Sequence, residues 1–224
     1  MYDRRGHGKS QLPLYGYSLW NQTLDLASLL DRLAIQHPVI VAVAMGTTIA
    51  ASYALDHPGR VRGLVLVSWY ELDGYPLMEK RRHRYSTTFA ELHLEMFEIL
   101  RARGQEGLID HMRREGDAFL PILPTEPRVR ERVMRMMASH PPEHYVKSAE
   151  FYTSMPNLVP RMRGIQCPVL GVCGDDDPAP DKPELLEAVP RFQEVWIRGA
   201  RRFSMLERPE EFNLALGDFL RTLE

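Results

Sequence analysis

The stretch Val39-Ile40-Val41-Ala42-Val43-Ala44-Met45-Gly46 decides how this 224-residue chain is read. Its first six residues form a short apolar run rich in β-branched side chains, which predicts a strand buried on both faces in a parallel sheet. Small residues then alternate along its exit, at Ala42, Ala44 and Gly46. Small residues on either side of a central one permit a sharp strand-to-helix turn, where backbones crowd, and such a turn holds a nucleophile up for attack. The central residue here is Ala44, and a methyl group cannot attack a carbonyl.

The pattern around this stretch is strand, helix, strand. Upstream, Leu19 to Ala34 places Leu19, Leu26, Leu29, Leu30 and Leu33 on one helical face, and His37-Pro38 ends it. Downstream, Thr47 to Leu55 predicts a small-residue helix closed by His57-Pro58-Gly59, and Val61 to Ser68 a second buried strand. Together these make a βαβ unit. From Trp69 to about Gln166 no strand is predicted. Helical periodicity covers Phe89 to Arg103, Gly107 to Phe119, Pro127 to Ala138 and His144 to Ser154, punctuated by prolines. The α/β pattern then resumes with a strand at Pro168 to Cys173, a turn at Gly174-Asp175-Asp176-Asp177-Pro178 and a helix at Lys182 to Val189. A strand at Phe192 to Ile197 and a helix at Glu210 to Leu223 complete it. The expected domains are a sheet-bearing core of residues 1–68 and 167–224 and a helical cap of residues 69–166.

Composition narrows the function classes. Hydrophobic residues at 44% and charged residues at 26% give an ordinary globular balance, so whole-chain disorder is disfavoured. Lys+Arg of 28 against Asp+Glu of 30 leaves a net charge of −2, which disfavours nucleic-acid binding driven by bulk charge. The two cysteines, Cys167 and Cys173, lie on one predicted strand. Six residues of strand span roughly 20 Å, too far for a disulfide, so both read as buried thiols in a reducing compartment. The start, Met-Tyr-Asp-Arg-Arg-Gly-His-Gly, has no apolar core for a signal peptide, and the apolar runs are too short for a membrane span. The expectation is a cytoplasmic protein without membrane or nucleic-acid partners.

Five stretches in order resemble the α/β-hydrolase superfamily, in its capped small-molecule branch. Tyr2-Asp3-Arg4-Arg5-Gly6-His7-Gly8-Lys9-Ser10 resembles the loop after the family's fourth strand, and Val39 to Gly46 its nucleophile elbow. Tyr53 to Val61 resembles the helix end that feeds the next strand. Cys167 to Leu170 with Gly174 to Pro178 resembles the strand and turn of the catalytic acid. Gly199-Ala200-Arg201-Arg202-Phe203 with Leu206 to Phe212 resembles the loop of the catalytic histidine. The resemblance implies an α/β-hydrolase fold: a mostly parallel sheet with flanking helices and an inserted helical cap, incomplete at its N-terminus.

It also exposes departures. Ala44 stands at the family's nucleophile position and Arg202 at its histidine position; Asp177 alone keeps the acid. No histidine follows His144, so no shift of alignment restores the base. Arginine cannot replace it, because its pKa exceeds about 12 and it stays protonated. Of the two oxyanion-hole amides, the resemblance leaves that of Met45. A triad works as a unit, so triad-type acyl transfer is not expected. The resemblance implies ancestry among small-molecule ester or C–C bond hydrolases, with a surviving ligand site that could support non-hydrolytic chemistry by positioning. The alternatives are a non-enzymatic binding or regulatory protein, or a fragment of a longer hydrolase. No cofactor is implied.

Blander roles compete at each candidate residue. An Asp177–Arg202 ion pair is preferred over an Arg202 fork offered to an anionic ligand. Consecutive Asp175, Asp176 and Asp177 point in different directions, which argues against a cation site. Thr47 and Thr48 at a helix start usually bond the backbone. Cys173 reads as core, and Met134, Met136 and Met137 as cap core. His83, His93 and His111 are candidate replacement bases but ordinarily inert. In the family order the elbow strand pairs with a strand absent here, so Val39 to Ala44 is expected to expose an edge. Either a second copy covers that edge as a homodimer, or Met1 is internal to a longer gene product, and the second is preferred.

Overall fold

The computed structural model describes residues 1–69, 72, 89–177, 189 and 191–224. The chain divides into two compact units, Met1–Gln22 with Tyr75–Met155 and Thr23–Gly74 with Pro156–Glu224. The boundary falls inside helix α1 (Leu19–Arg32). The opening loop thus groups with the helical segment, whereas the sequence division assigns all of residues 1–68 to the core. Among the described residues no helix is long and apolar enough to cross a membrane.

The second unit holds one sheet of four parallel strands: β1 (Val39–Val43), β2 (Gly63–Val67), β3 (Val169–Gly174) and β4 (Phe192–Ile197), in that spatial order. Val43 lies opposite Val67, Val67 opposite Val172, and Gly174 opposite Ile197. Parallel register brings the carboxyl ends of all four strands to one edge, the side on which open α/β sheets place ligands. β2 and β3 are buried at every residue, as apolar strands with a neighbour on each side should be.

β1 departs from the expectation of burial on both faces. It is half-buried, and Val41 is 47% exposed. Its side chains are those of a core strand, but burial needs a neighbour on each side, and β1 has one among the described strands. Among the described strands, β1 lies at the end of the sheet order. Leu33 departs likewise: Leu19, Leu26 and Leu30 of the α1 stripe are buried, but Leu33, beyond the helix end, is exposed.

Helix α2 (Met45–Asp56) packs on β1 and β2. It starts at Met45, two residues before the predicted Thr47, because the turn at Ala44 is abrupt. One sheet face buries Val65, Val67, Leu170, Val172 and Ile197 against Phe212 and Phe219 of the C-terminal helix, Pro209–Arg221. Phe212, Leu216 and Phe219 recur at helical spacing, which aims them at the same face.

In the first unit, helix α3 (Phe89–Glu115) merges the two helices predicted on either side of residue 104. Gly104 marks the join with φ 67° and ψ −171°, so the axis kinks where the sequence implied a break. Helices α4 (Pro127–Ala138) and α5 (Glu143–Thr153) pack on α3. Glu126 caps α4 by accepting from the Arg128 and Val129 amides, with Pro127 at the first helical position. The predicted helix from Lys182 lies outside the described residues. The short helix Ser204–Glu207, α6, precedes the C-terminal helix, α7.

Candidate functional site

Four loops leave the carboxyl ends of β1 to β4, and each places one residue of interest there. After β1, Ala44 has φ 48° and ψ −124°. A non-glycine residue in that region is strained by about 1–3 kcal/mol and persists only where its surroundings enforce it. Here the Ala44 amide donates to the Val67 carbonyl at 2.9 Å, and the Ala44 carbonyl accepts from the Thr47 amide at 2.8 Å and hydroxyl at 2.6 Å. The elbow is thus built, with a methyl group at its tip. The Met45 amide opens α2, where the first amides of a helix have no intrahelical acceptor and the helix dipole is positive.

After β2 comes Ser68, buried, with φ 50°. Its amide donates to the Val172 carbonyl at 2.9 Å and its hydroxyl to the Arg202 carbonyl at 3.1 Å. The loops after β3 and β4 are laced together. The Asp175 amide donates to the Ile197 carbonyl at 3.2 Å and the Asp176 amide to the Ala200 carbonyl at 3.1 Å. The Gly199 amide donates to Asp175 Oδ1 at 2.6 Å. Gly174 permits this approach, since a Cβ there would sit 2.0 Å from the Ala200 carbonyl oxygen. The Arg201 amide donates to Glu207 Oε1 at 2.9 Å, which fixes the β4 loop to α6.

The lacing brings Asp177 and Arg202 together. Arg202 Nε lies 3.6 Å from Asp177 Oδ2, and the side chains are 5% and 0% exposed. Both Asp177 oxygens lack a hydrogen-bond donor among the described residues, so the Arg202 charge is what offsets a fully desolvated carboxylate. The anticipated ion pair is therefore formed. An arginine has no proton to give up at ordinary pH and no lone pair to accept one, so it cannot serve as a general base.

The other candidates resolve into structural roles. Thr47 spends its hydroxyl on the Ala44 carbonyl, and Thr48 is fully buried. Asp175 is engaged by Gly199, and Cys173 is buried in β3. Cys167 and Cys173 are free thiols, and burial pushes the Cys167 thiol up to about 11. Of the methionines, Met134 is buried but Met136 is 46% exposed, since it faces outward on α4. His111 lies 3.5 Å from Glu95 and edge-on to Phe119. His93 is half-buried against Tyr145 and Tyr152, and desolvation of its ring lowers its pKa to about 4. His83 lies outside the described residues. Sequence reasoning missed Ser68, Gly174 and Glu207. A glycine directly after a buried strand was the one available signal, because it marks a close backbone approach.

The family profile described as the alpha/beta hydrolase fold matches residues 1–209. The chain belongs to that family. Among curated relatives, a candidate 2-succinyl-6-hydroxy-2,4-cyclohexadiene-1-carboxylate synthase of Bacillus subtilis (strain 168) is 27% identical over 238 residues, covering 99% of this chain and 80% of that protein. The 2-hydroxy-6-oxononadienedioate/2-hydroxy-6-oxononatrienedioate hydrolase 2 of Pseudomonas putida is 26% identical over 205 residues, covering 88% of this chain and 67% of that protein. Among solved structures, MenH from S. aureus superposes with a TM-score of 0.75 at 22% identity, covering 99% of this chain and 82% of that one. This alpha/beta hydrolase is thus related to small-molecule hydrolases.

Proposed function

We propose that this alpha/beta hydrolase binds a small molecule at the carboxyl ends of its strands and performs no triad hydrolysis. The observation that carries the reading is the buried Asp177–Arg202 pair, 3.6 Å apart, in the loops where the family places its acid and base. Ala44, strained at the elbow, supplies no nucleophile, and Arg202 supplies no base. What supports a retained ligand site is the elbow geometry itself, with the Met45 amide at a helix start. The names of the two curated relatives both contain a carboxylate compound, so small carboxylates are the first ligands to test. Whatever chemistry the site performs then rests on positioning, not covalent catalysis.

A fluorophosphonate probe with intact-mass readout tests the reading. The protein as it stands should remain unmodified, and the Ala44→Ser, Arg202→His variant should gain one adduct at position 44. An adduct on the unaltered protein that maps to any residue of these four loops would overturn the proposal, because it would reveal an activated nucleophile.

A further inference from the structure

Four of the eight histidines gather in the first unit, from three separate stretches of the sequence. His140 stacks on His144 with ring centroids 4.2 Å apart, and His7 meets His144 edge-on at 4.2 Å and His140 at 5.3 Å. His93 of α3 lies close by, against Tyr145. Three polar contacts hold these rings, two inside the opening loop and one from His144 to that loop. Arg4 Nη2 is 2.6 Å from His7 Nε2, His7 Nδ1 is 3.1 Å from the Arg5 carbonyl oxygen, and His144 Nδ1 is 2.8 Å from the Gly6 carbonyl oxygen.

Donor and acceptor chemistry fixes the protonation of His7. A guanidinium only donates and a carbonyl only accepts, so Nε2 must accept from Arg4 and Nδ1 must donate to Arg5. That leaves one proton on the ring. A second proton would set N–H against N–H at 2.6 Å, and the Arg4 contact could not survive. His144 donates from Nδ1 to Gly6, and its Nε2 faces the Ser148 hydroxyl at 3.4 Å. A charge on either ring would stand beside the other imidazoles and Arg4.

We propose that this cluster is an acid-sensitive latch, in which proton uptake by His7, His140 and His144 releases the opening loop, residues 2–10, from residues 140–148 of the same unit. The groups that face it are these. Asp3 and Arg4 come from the loop, with Asp3 favouring a charged His140 and Arg4 opposing charge on all three rings. His93 comes from α3, and Tyr145 and Ser148 come from α5. Burial first, then Arg4, holds His7 far below its ordinary value, and burial with Arg4 lowers His140. Burial, then His140, lowers His144 to about 3. Values depressed in the closed form mean the latch is fully favoured above about pH 6.5 and weakens as pH falls toward the lowered values.

Hydrogen exchange read by mass spectrometry, corrected for intrinsic rate, tests the latch between about pH 7.5 and pH 4.5. Peptides spanning residues 1–12 and 139–148 should lose protection roughly tenfold or more between about pH 6 and pH 5, while peptides of β2 and β3 keep theirs. The opening of the wild-type loop should take up about two protons or more, read from its slope against pH. A His7→Gln, His140→Gln variant, in which the amide oxygen introduced at position 7 can still accept from Arg4, should move the transition down by about one pH unit. Three results would each overturn the proposal. The loop could stay protected at the acid end, it could open only in step with the sheet, or its opening could show no proton dependence. All three are read on the wild-type protein, so they stand even if the variant does not fold.

Discussion

At the residue scale the site turns on Ala44, in the loop after β1, and on the Asp177–Arg202 pair. Ala44 keeps φ 48°, a conformation that glycine adopts freely and alanine does not. Ala44→Gly should therefore stabilise the protein by about 1 kcal/mol in urea denaturation, the reverse of the usual effect of that change, because relief of strain exceeds the added chain entropy. At the other position, Arg202→Met leaves the Asp177 carboxylate buried without its partner and should cost about 3–5 kcal/mol. The further change Asp177→Leu should recover most of that loss, since a packed apolar pair can replace a buried ion pair at little cost. A double-mutant cycle checks both statements, and equal losses in the single and double variants would show that the pair is not what couples these loops. These two residues were legible from the sequence because the flanking motifs fix their places. Ser68 was not, since its bond to the Arg202 carbonyl joins positions 134 apart.

At the element scale, β2, β3 and β4 were legible because each is a short stretch carrying β-branched or aromatic residues, and β4 begins and ends where the sequence places it. The exposure of β1 was not legible in its own residues, which match those of a core strand. Its five residues carry no proline and no charge, the devices that usually blunt an edge. If a second copy covers this edge, Val41→Lys should reduce self-association, measured by light scattering against concentration, while leaving the stability in urea within about 0.5 kcal/mol. Unchanged association would place any self-contact elsewhere than β1. The crossing of the β3 and β4 loops depends on Gly174, and Gly174→Ala would drive a Cβ into the Ala200 carbonyl. That change should cost about 2 kcal/mol or more, because backbone cannot yield as a flexible side chain can. The histidine cluster was beyond sequence reasoning, since its bond from His144 to the Gly6 carbonyl joins positions 138 apart, a separation no local periodicity encodes.

At the scale of the whole molecule, the proposed reading is of an alpha/beta hydrolase fold that persists while the parts that make it hydrolytic are replaced. On that reading, the strain at Ala44 is a cost to folding that a ligand site at the elbow accounts for. Fold does not fix function, so the account rests on the site and not on the family. The turnover of p-nitrophenyl acetate, measured side by side for the unaltered protein and the Ala44→Ser, Arg202→His variant, is the most direct test. The account predicts that the unaltered protein runs at the buffer rate and that the variant rises above it by roughly a hundredfold or more, the scale of a partly restored triad. Turnover by the unaltered protein well above buffer, unchanged by substitutions at positions 44 and 202, would contradict it.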